Sequence, residues 1–236
     1  MHATPNFLIN QSNPSKAFDD RIKFLILHYT AQDFQTSLGL LQDKVSSHYL
    51  ISDDAEIFQL VDENKRAWHA GDSYFAGRTN LNDSSIGIEI VNLDGNKNPY
   101  PHKQIEAVIF LCQKIVTKYD ILPRNVLAHS DIAPLRKMDP GALFPWNKLY
   151  QNGVGAMPDE VDIDFFMSNI DVPNVLELQN NLVKYGYKID ITEKFDEQTK
   201  IVVDAFRRHF CPDLLGGEFD KKTYATLLAL IKKYVK

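Results

Sequence analysis

"FLILHYT", residues 24–30, is an unbroken apolar run that closes on a histidine. Short runs rich in β-branched and aromatic residues, bounded by turn formers, read as strands. Alternation puts Phe24, Ile26 and His28 on one face, with His28 at the carboxyl end where the strand meets a loop. Four more stretches are of the same kind: "SSHYLIS" (46–52), "EIFQLV" (56–61), "SSIGIEIV" (84–91) and "NVLAHS" (125–130). Between the last two, "PHKQIEAVIFLCQKIVTKYD" (101–120) repeats Ile105, Val108, Ile109, Cys112, Ile115, Val116 and Tyr119 at helical spacing, opened by Pro101 and closed ahead of Pro123. A second helix around "SLGLLQD" (37–43) joins the first two strands. Strands interleaved with helices predict an α/β fold, a mixed central β-sheet flanked by helices.

Residues 1–20 are polar, carry Pro5 and Pro14, and are expected to wrap the surface. The pattern breaks at "YQNGVGAMPDE" (150–160), which is rich in Gly and polar residues, so two domains are expected, 1–155 and 156–236. In the second, "NVLELQNNLVKYGY" (174–187), "DEQTKIVVDAFRRHF" (196–210) and "DKKTYATLLALIKKYV" (220–235) predict a small three-helix domain. It is near the lower size at which a core alone suffices.

A formal charge of −5 offers no electrostatic case for nucleic acid. Cys112 and Cys211 each sit among apolar neighbours and read as buried free thiols. No stretch is apolar for long enough to span a bilayer, and the first twenty residues lack the apolar core of a signal peptide.

In "SSIGIEIV", Ile86, Ile88 and Ile90 share the apolar face, leaving Ser85, Gly87 and Glu89 on the other. Gly87 has no side chain, so open space is expected beside Glu89. An acid inside a strand needs a partner or a metal to compensate its burial. His129 ends the "NVLAH" run and begins "HSDIAPLRKMDPG" (129–141), where Pro134 and Pro140 predict a shaped loop rather than a regular helix. Two strand-end histidines, a strand Glu and a loop Asp are the groups a hydrolytic zinc site requires: three protein ligands and an open position. Spacing leaves Asp131 and Asp139 as rivals for the carboxylate ligand. Lys137 stands two residues before Asp139, which in an extended segment puts both side chains on one side. His48 reads as a core residue or a support to the ligands. Asn82 and Asp83 are expected to order the turn entering the Glu89 strand, and His2, His102 and His209 read as surface residues.

The motifs "HYTA", "SSHYLI", "AWHAG", "LNDSSIGIEIVN" and "HSDIAPLRKMDPGALFPW", in this order over about residues 22–150, resemble the zinc-dependent N-acetylmuramoyl-L-alanine amidases of the amidase-2 (AmpD/AmiD) family. The two-domain layout is most similar to the AmiD type. The resemblance implies Zn2+ as cofactor, held by His28, His129 and Asp139 with the fourth position open to water, and leaves Asp131 as a turn or cap residue. It implies Glu89 as general base and Lys137 as the cation facing the developing oxyanion; the neighbouring Arg136 reads as a solvated surface residue. Trp68, His69 and Arg78, in "AWHAGDSYFAGRTNLND" (67–83), are then expected to bind substrate: a flat wall, a polar edge and a partner for a peptide carboxylate.

The helical domain resembles the peptidoglycan-binding domain attached to wall hydrolases, with Arg207 where that family commonly has Gln. The implied reaction is hydrolysis of the amide between the lactyl group of N-acetylmuramic acid and L-alanine, on peptidoglycan or muropeptides. A non-catalytic peptidoglycan receptor is the alternative. The second domain favours the periplasm or cell envelope, with a lipid anchor carried outside this sequence, over the cytoplasm.

Overall fold

The computed structural model of the protein describes residues 20–171 and 174–235, so the N-terminal surface segment up to residue 19, with His2, lies outside the described residues. In chain order the elements are β1 (Phe24–Tyr29), α1 (Phe34–Asp43), β2 (Tyr49–Ile51), β3 (Ile57–Gln59), β4 (Tyr74–Phe75), β5 (Arg78–Thr79), β6 (Ser85–Ile90), α2 (His102–Tyr119), β7 (Val126–Ala128), α3 (His129–Ile132), α4 (Trp146–Gln151), α5 (Glu160–Asn169), α6 (Val175–Tyr185), α7 (Glu197–Phe210) and α8 (Lys221–Tyr234).

The main sheet has the order β3-β2-β6-β1-β7. β2, β6, β1 and β7 run parallel, and β3 is an antiparallel edge strand, so the sheet is mixed as expected. Residues 24–28 are buried on both faces. That explains the unbroken apolar run, since strands of a parallel sheet covered on both sides need not alternate. On α2, Ile105, Val108, Leu111, Cys112 and Ile115 are buried with the strands, each apolar side chain contributing about 1.5–3 kcal/mol. Cys112 is buried and Cys211 half-buried, both as free thiols.

Parallel neighbours point the same way, so β6, β1 and β7 deliver their carboxyl ends to one edge of the sheet. His28 lies opposite Glu89 in the β1–β6 register, and His129 directly follows the last residue of β7. The crevice outside the carboxyl ends of such strands is where α/β sheets bind ligands.

The loop expected at 129–141 begins instead as one turn of helix, α3. The Asp131 carboxylate accepts the Ala128 N–H at 2.8 Å, satisfying a donor that a helix start leaves orphaned. The prolines act only after it, where 133–139 is irregular and the Asp139–Pro140 peptide is cis. Gly141 follows at φ +88°, with its Cα against the Gly95 backbone where a side chain would collide.

The C-terminal part holds four helices among the described residues, one more than expected. The additional α5 escapes periodicity because Ile163 is its only fully buried residue, while Val161 and Phe165 face out. Asn174, Asp196 and Asp220 each accept a backbone N–H at the start of α6, α7 and α8, a cap worth about 1 kcal/mol apiece. Arg207 is buried and ties α7 to the following turn through Thr223, the Gly217 and Glu218 carbonyls and Asp220. One cluster of buried apolar side chains runs from Leu25, Ile26 and Ile88 through Phe75 and Leu149 to Leu178, Tyr185 and Phe206. Sheet and C-terminal helices therefore share a core.

Candidate metal centre and cleft

Three buried side chains converge at the sheet edge. His28 Nδ1 lies 2.9 Å from His129 Nδ1 and 3.1 Å from Asp139 Oδ2, and His129 Nδ1 lies 3.0 Å from the same oxygen. They are the one such group of possible metal ligands among the described residues.

Proton bookkeeping shows what this triangle needs. Ser85 Oγ–H donates to the Leu81 carbonyl at 2.6 Å, so Ser85 Oγ accepts from His69 Nε2–H at 3.2 Å. His69 Nδ1 then accepts from His28 Nε2–H at 3.0 Å, which leaves His28 Nδ1 as a bare lone pair. His129 Nε2–H points at the Ala70 carbonyl at 3.2 Å, which frees its Nδ1 likewise. Arg136 Nη2, 3.5 Å from the same Nε2, is too distant to compete and donates to Ala70 and Asp72 carbonyls instead.

Two imidazole nitrogens and a carboxylate oxygen thus crowd to within about 3 Å of one another. A cation would relieve that crowding, and two imidazole nitrogens with one carboxylate form a donor set that suits zinc. Burial, reinforced by His129, lowers the His28 pKa to about 4, and burial followed by the neighbouring imidazoles holds His69 well below its ordinary value. Both are therefore neutral, the state a ligand requires. Burial pushes the Asp139 carboxyl up, but the His129 and His28 rings outweigh it and the net shift is downward.

Glu89 lines the same cleft of about 350 Å3, with Tyr29, Trp68, Lys137 and Met138. Its Oε2 is buried and has no hydrogen-bond partner among the described residues. Burial, then the Asp139 charge, raises its pKa well above the ordinary carboxylate value, while Lys137 pulls it back. A larger groove of about 900 Å3 lies between α2 and β3 and contains none of the converging ligands.

Lys137 is half-buried at the cleft, close enough for its charge to act on both Glu89 and His28. Trp68 lines the cleft, 54% exposed, with the Arg66 guanidinium 4.1 Å over its ring.

Two expectations about substrate contacts are corrected. His69 lines the cleft but is buried with both its ring nitrogens engaged, so its polar edge is spent on His28 and Ser85. Its ring also fills the space above Gly87, where a methyl group would overlap it; the room expected beside Glu89 is occupied. Arg78 lies on β5, exposed, beside a separate hollow with Asp20, Arg21 and Asp83, and does not line the cleft.

Other residues sort as follows. Asn82 holds the His69 and Ala70 amides, and His48 accepts from Gly87 N–H. His102 is exposed, as expected, but His209 is not: it is buried against Asp131 at 2.7 Å. Arg136, expected at the surface without a role, clamps the 70–72 turn over His129. Only its multiple donors signalled that.

Comparisons with known proteins agree with this geometry. Residues 18–142 match the family Amidase_2, N-acetylmuramoyl-L-alanine amidase, and residues 171–227 match the PG_binding_1 family of peptidoglycan binding domains. The chain is 43% identical to N-acetylmuramoyl-L-alanine amidase AmiD of Escherichia coli K12 over 97% of its own length and 89% of that protein's. A solved complex of E. coli AmiD with anhydro-N-acetylmuramic acid-L-Ala-D-gamma-Glu-L-Lys superposes with TM-score 0.88 at 42% identity, covering 96% of this chain and 95% of that one. AmpDh3 of Pseudomonas aeruginosa, solved with anhydromuramic pentapeptide, superposes with TM-score 0.92 at 38% identity over 98% and 99%. Matched over most of its length in both sequence and structure, the chain belongs to the N-acetylmuramoyl-L-alanine amidase family.

Proposed function

We propose that the protein hydrolyses the amide bond between the lactyl group of N-acetylmuramic acid and L-alanine in peptidoglycan or its muropeptides, using zinc. The observation that carries this reading is the triangle of His28, His129 and Asp139 acceptors beside the unpartnered carboxylate of Glu89. A Zn2+ ion held there would supply Lewis acidity towards the amide carbonyl and towards a water molecule.

Glu89 takes a proton from the attacking water and returns it to the departing amine of L-alanine. Burial raises the Glu89 pKa above the ordinary carboxylate value, the direction that lets a carboxyl return a proton as well as take one. Lys137 faces the oxyanion that develops on the carbonyl and stabilises it electrostatically. Trp68 offers its exposed face as a wall for the sugar or the peptide. Residues 1–155 carry this chemistry, while 156–236 contribute core and a surface for the wall polymer. The family points to work at the cell envelope, and the two-domain layout to the periplasm. No helix among the described residues is long and apolar enough to cross a membrane.

The test is to load the protein with Zn2+, incubate it with an anhydromuramyl tripeptide and follow free peptide by mass spectrometry. Release at one zinc per chain is expected. Tight binding without release would assign the non-catalytic receptor instead.

A further inference from the structure

The C-terminal helices reach the metal centre through one buried carboxylate. Asp131 is not a ligand, yet it is fully buried. Its Oδ2 accepts from Ala128 N–H at 2.8 Å and from His209 Nδ1 at 2.7 Å, and its Oδ1 accepts from Tyr187 Oη–H at 2.6 Å. The side chain that caps α3, whose first residue is His129, is thus gripped by two residues from the far end of the chain. α3 is a single turn, too short to hold itself in shape by its own hydrogen bonds.

Tyr187 acts on His129 by a second route. Its ring packs on Phe75 at 5.9 Å, and the adjacent Gly186 carbonyl accepts the Ala76 N–H at 2.9 Å. Those contacts brace the segment that follows the 70–72 turn, whose Ala70 carbonyl receives His129 Nε2–H. His209 is itself fixed, stacked on Trp146 at 3.8 Å between ring centres. Backbone and ring of His129 therefore both rest on C-terminal side chains.

We propose that Tyr187 and His209 are positioning residues of the metal centre, so that the C-terminal region is a structural part of the zinc site and not only an attachment to the wall. This rests on the zinc assignment above. Ligand distances to a metal tolerate only a few tenths of an ångström, so relaxing Asp131 relaxes His129.

The experiment titrates the metal-free full chain with Zn2+ against a chelating indicator, for wild type, Tyr187→Phe, His209→Gln and Tyr224→Phe. Tyr187→Phe deletes one oxygen and keeps the ring on Phe75. Tyr224→Phe deletes a similar hydrogen bond, to Asn181, with no route to His129, and controls for general loosening. The expected result is a zinc Kd raised about 3- to 10-fold in the first two variants and unchanged in the third, at the weak end of effects seen for groups that orient ligands. Their kcat falls while KM holds, because no cleft residue is altered. A Kd in Tyr187→Phe no different from that of Tyr224→Phe overturns the proposal, and Tyr187→Phe carries the test alone if His209→Gln does not fold. A wild-type chain that takes up no Zn2+ would remove the site and the proposal together.

Discussion

Glu89 and His28 face each other across two strands, and the same burial drives their pKa values apart, upward for the acid and downward for the base. For each, burial favours the neutral form. Glu89→Gln removes the proton acceptor without touching a ligand, so kcat should drop by about 10²–10⁴-fold while one zinc per chain remains, measured by peptide release and metal content. Loss of the metal as well would move Glu89 into the ligand set. His28 gives a stability prediction. Unfolded, it takes a proton near 6.5; folded, only near 4. Between those values the unfolded chain binds more protons at this site, so the His28 contribution to stability of the metal-free protein should fall by about 3 kcal/mol as pH drops from 6.5 towards 4, while Glu89, raised on folding, acts in the opposite sense. Urea unfolding in chelator across that window, compared between wild type and His28→Gln, checks it; equal pH slopes for the two would refute it. His28, Glu89 and His129 were legible because strand alternation and strand ends fix where such side chains point. The choice between Asp131 and Asp139 was not, nor were the roles of His69 and His209. Their partners lie far away in sequence, His69 being 41 residues from His28 and His209 78 residues from Asp131.

Among the elements, the parallel strands β6, β1 and β7 matter most, since their shared direction brings Glu89, His28 and His129 to one edge of the sheet. β6 has a further requirement at Gly87, where the chain must leave room for the His69 ring. Gly87→Ala should therefore push that ring off His28, costing about 1–3 kcal/mol of stability and weakening zinc binding. Urea unfolding and zinc titration of the same preparation test this, and a variant matching wild type in both would show the ring free to move. Strand and helix positions were readable from periodicity, because apolar side chains repeat with the geometry of the element they build. The short strands β4 and β5 and the helix at Trp146–Gln151 were not foreseen, and the short helix at His129 and the helix beginning at Glu160 were hidden too. The helix at His129 forms through a side-chain cap among prolines, and the one at Glu160 buries a single residue fully, too little to imprint a pattern.

Over the whole molecule, the boundary expected near residue 155 separates stretches of sequence but not hydrophobic cores. Phe75 packs on Tyr185 and Tyr187, and Trp146 on His209. A chain ending at residue 155 would leave these aromatics open to water, so its thermal midpoint should lie about 10 °C or more below that of the full chain. Thermal scans followed by circular dichroism decide it, and equal midpoints would mean the sheet is self-sufficient. Composition and spacing carry no information about which surfaces of two sequence segments meet, and that is why this junction was invisible beforehand.

The grip on Asp131 also limits how the protein can be recombined. Grafting its catalytic half onto a foreign C-terminal module would cut away both the hydroxyl of Tyr187 and the imidazole of His209. A working chimera must carry those two groups across the seam or replace Asp131 with something that needs no company. Shuffling of such enzymes in evolution would have met the same constraint.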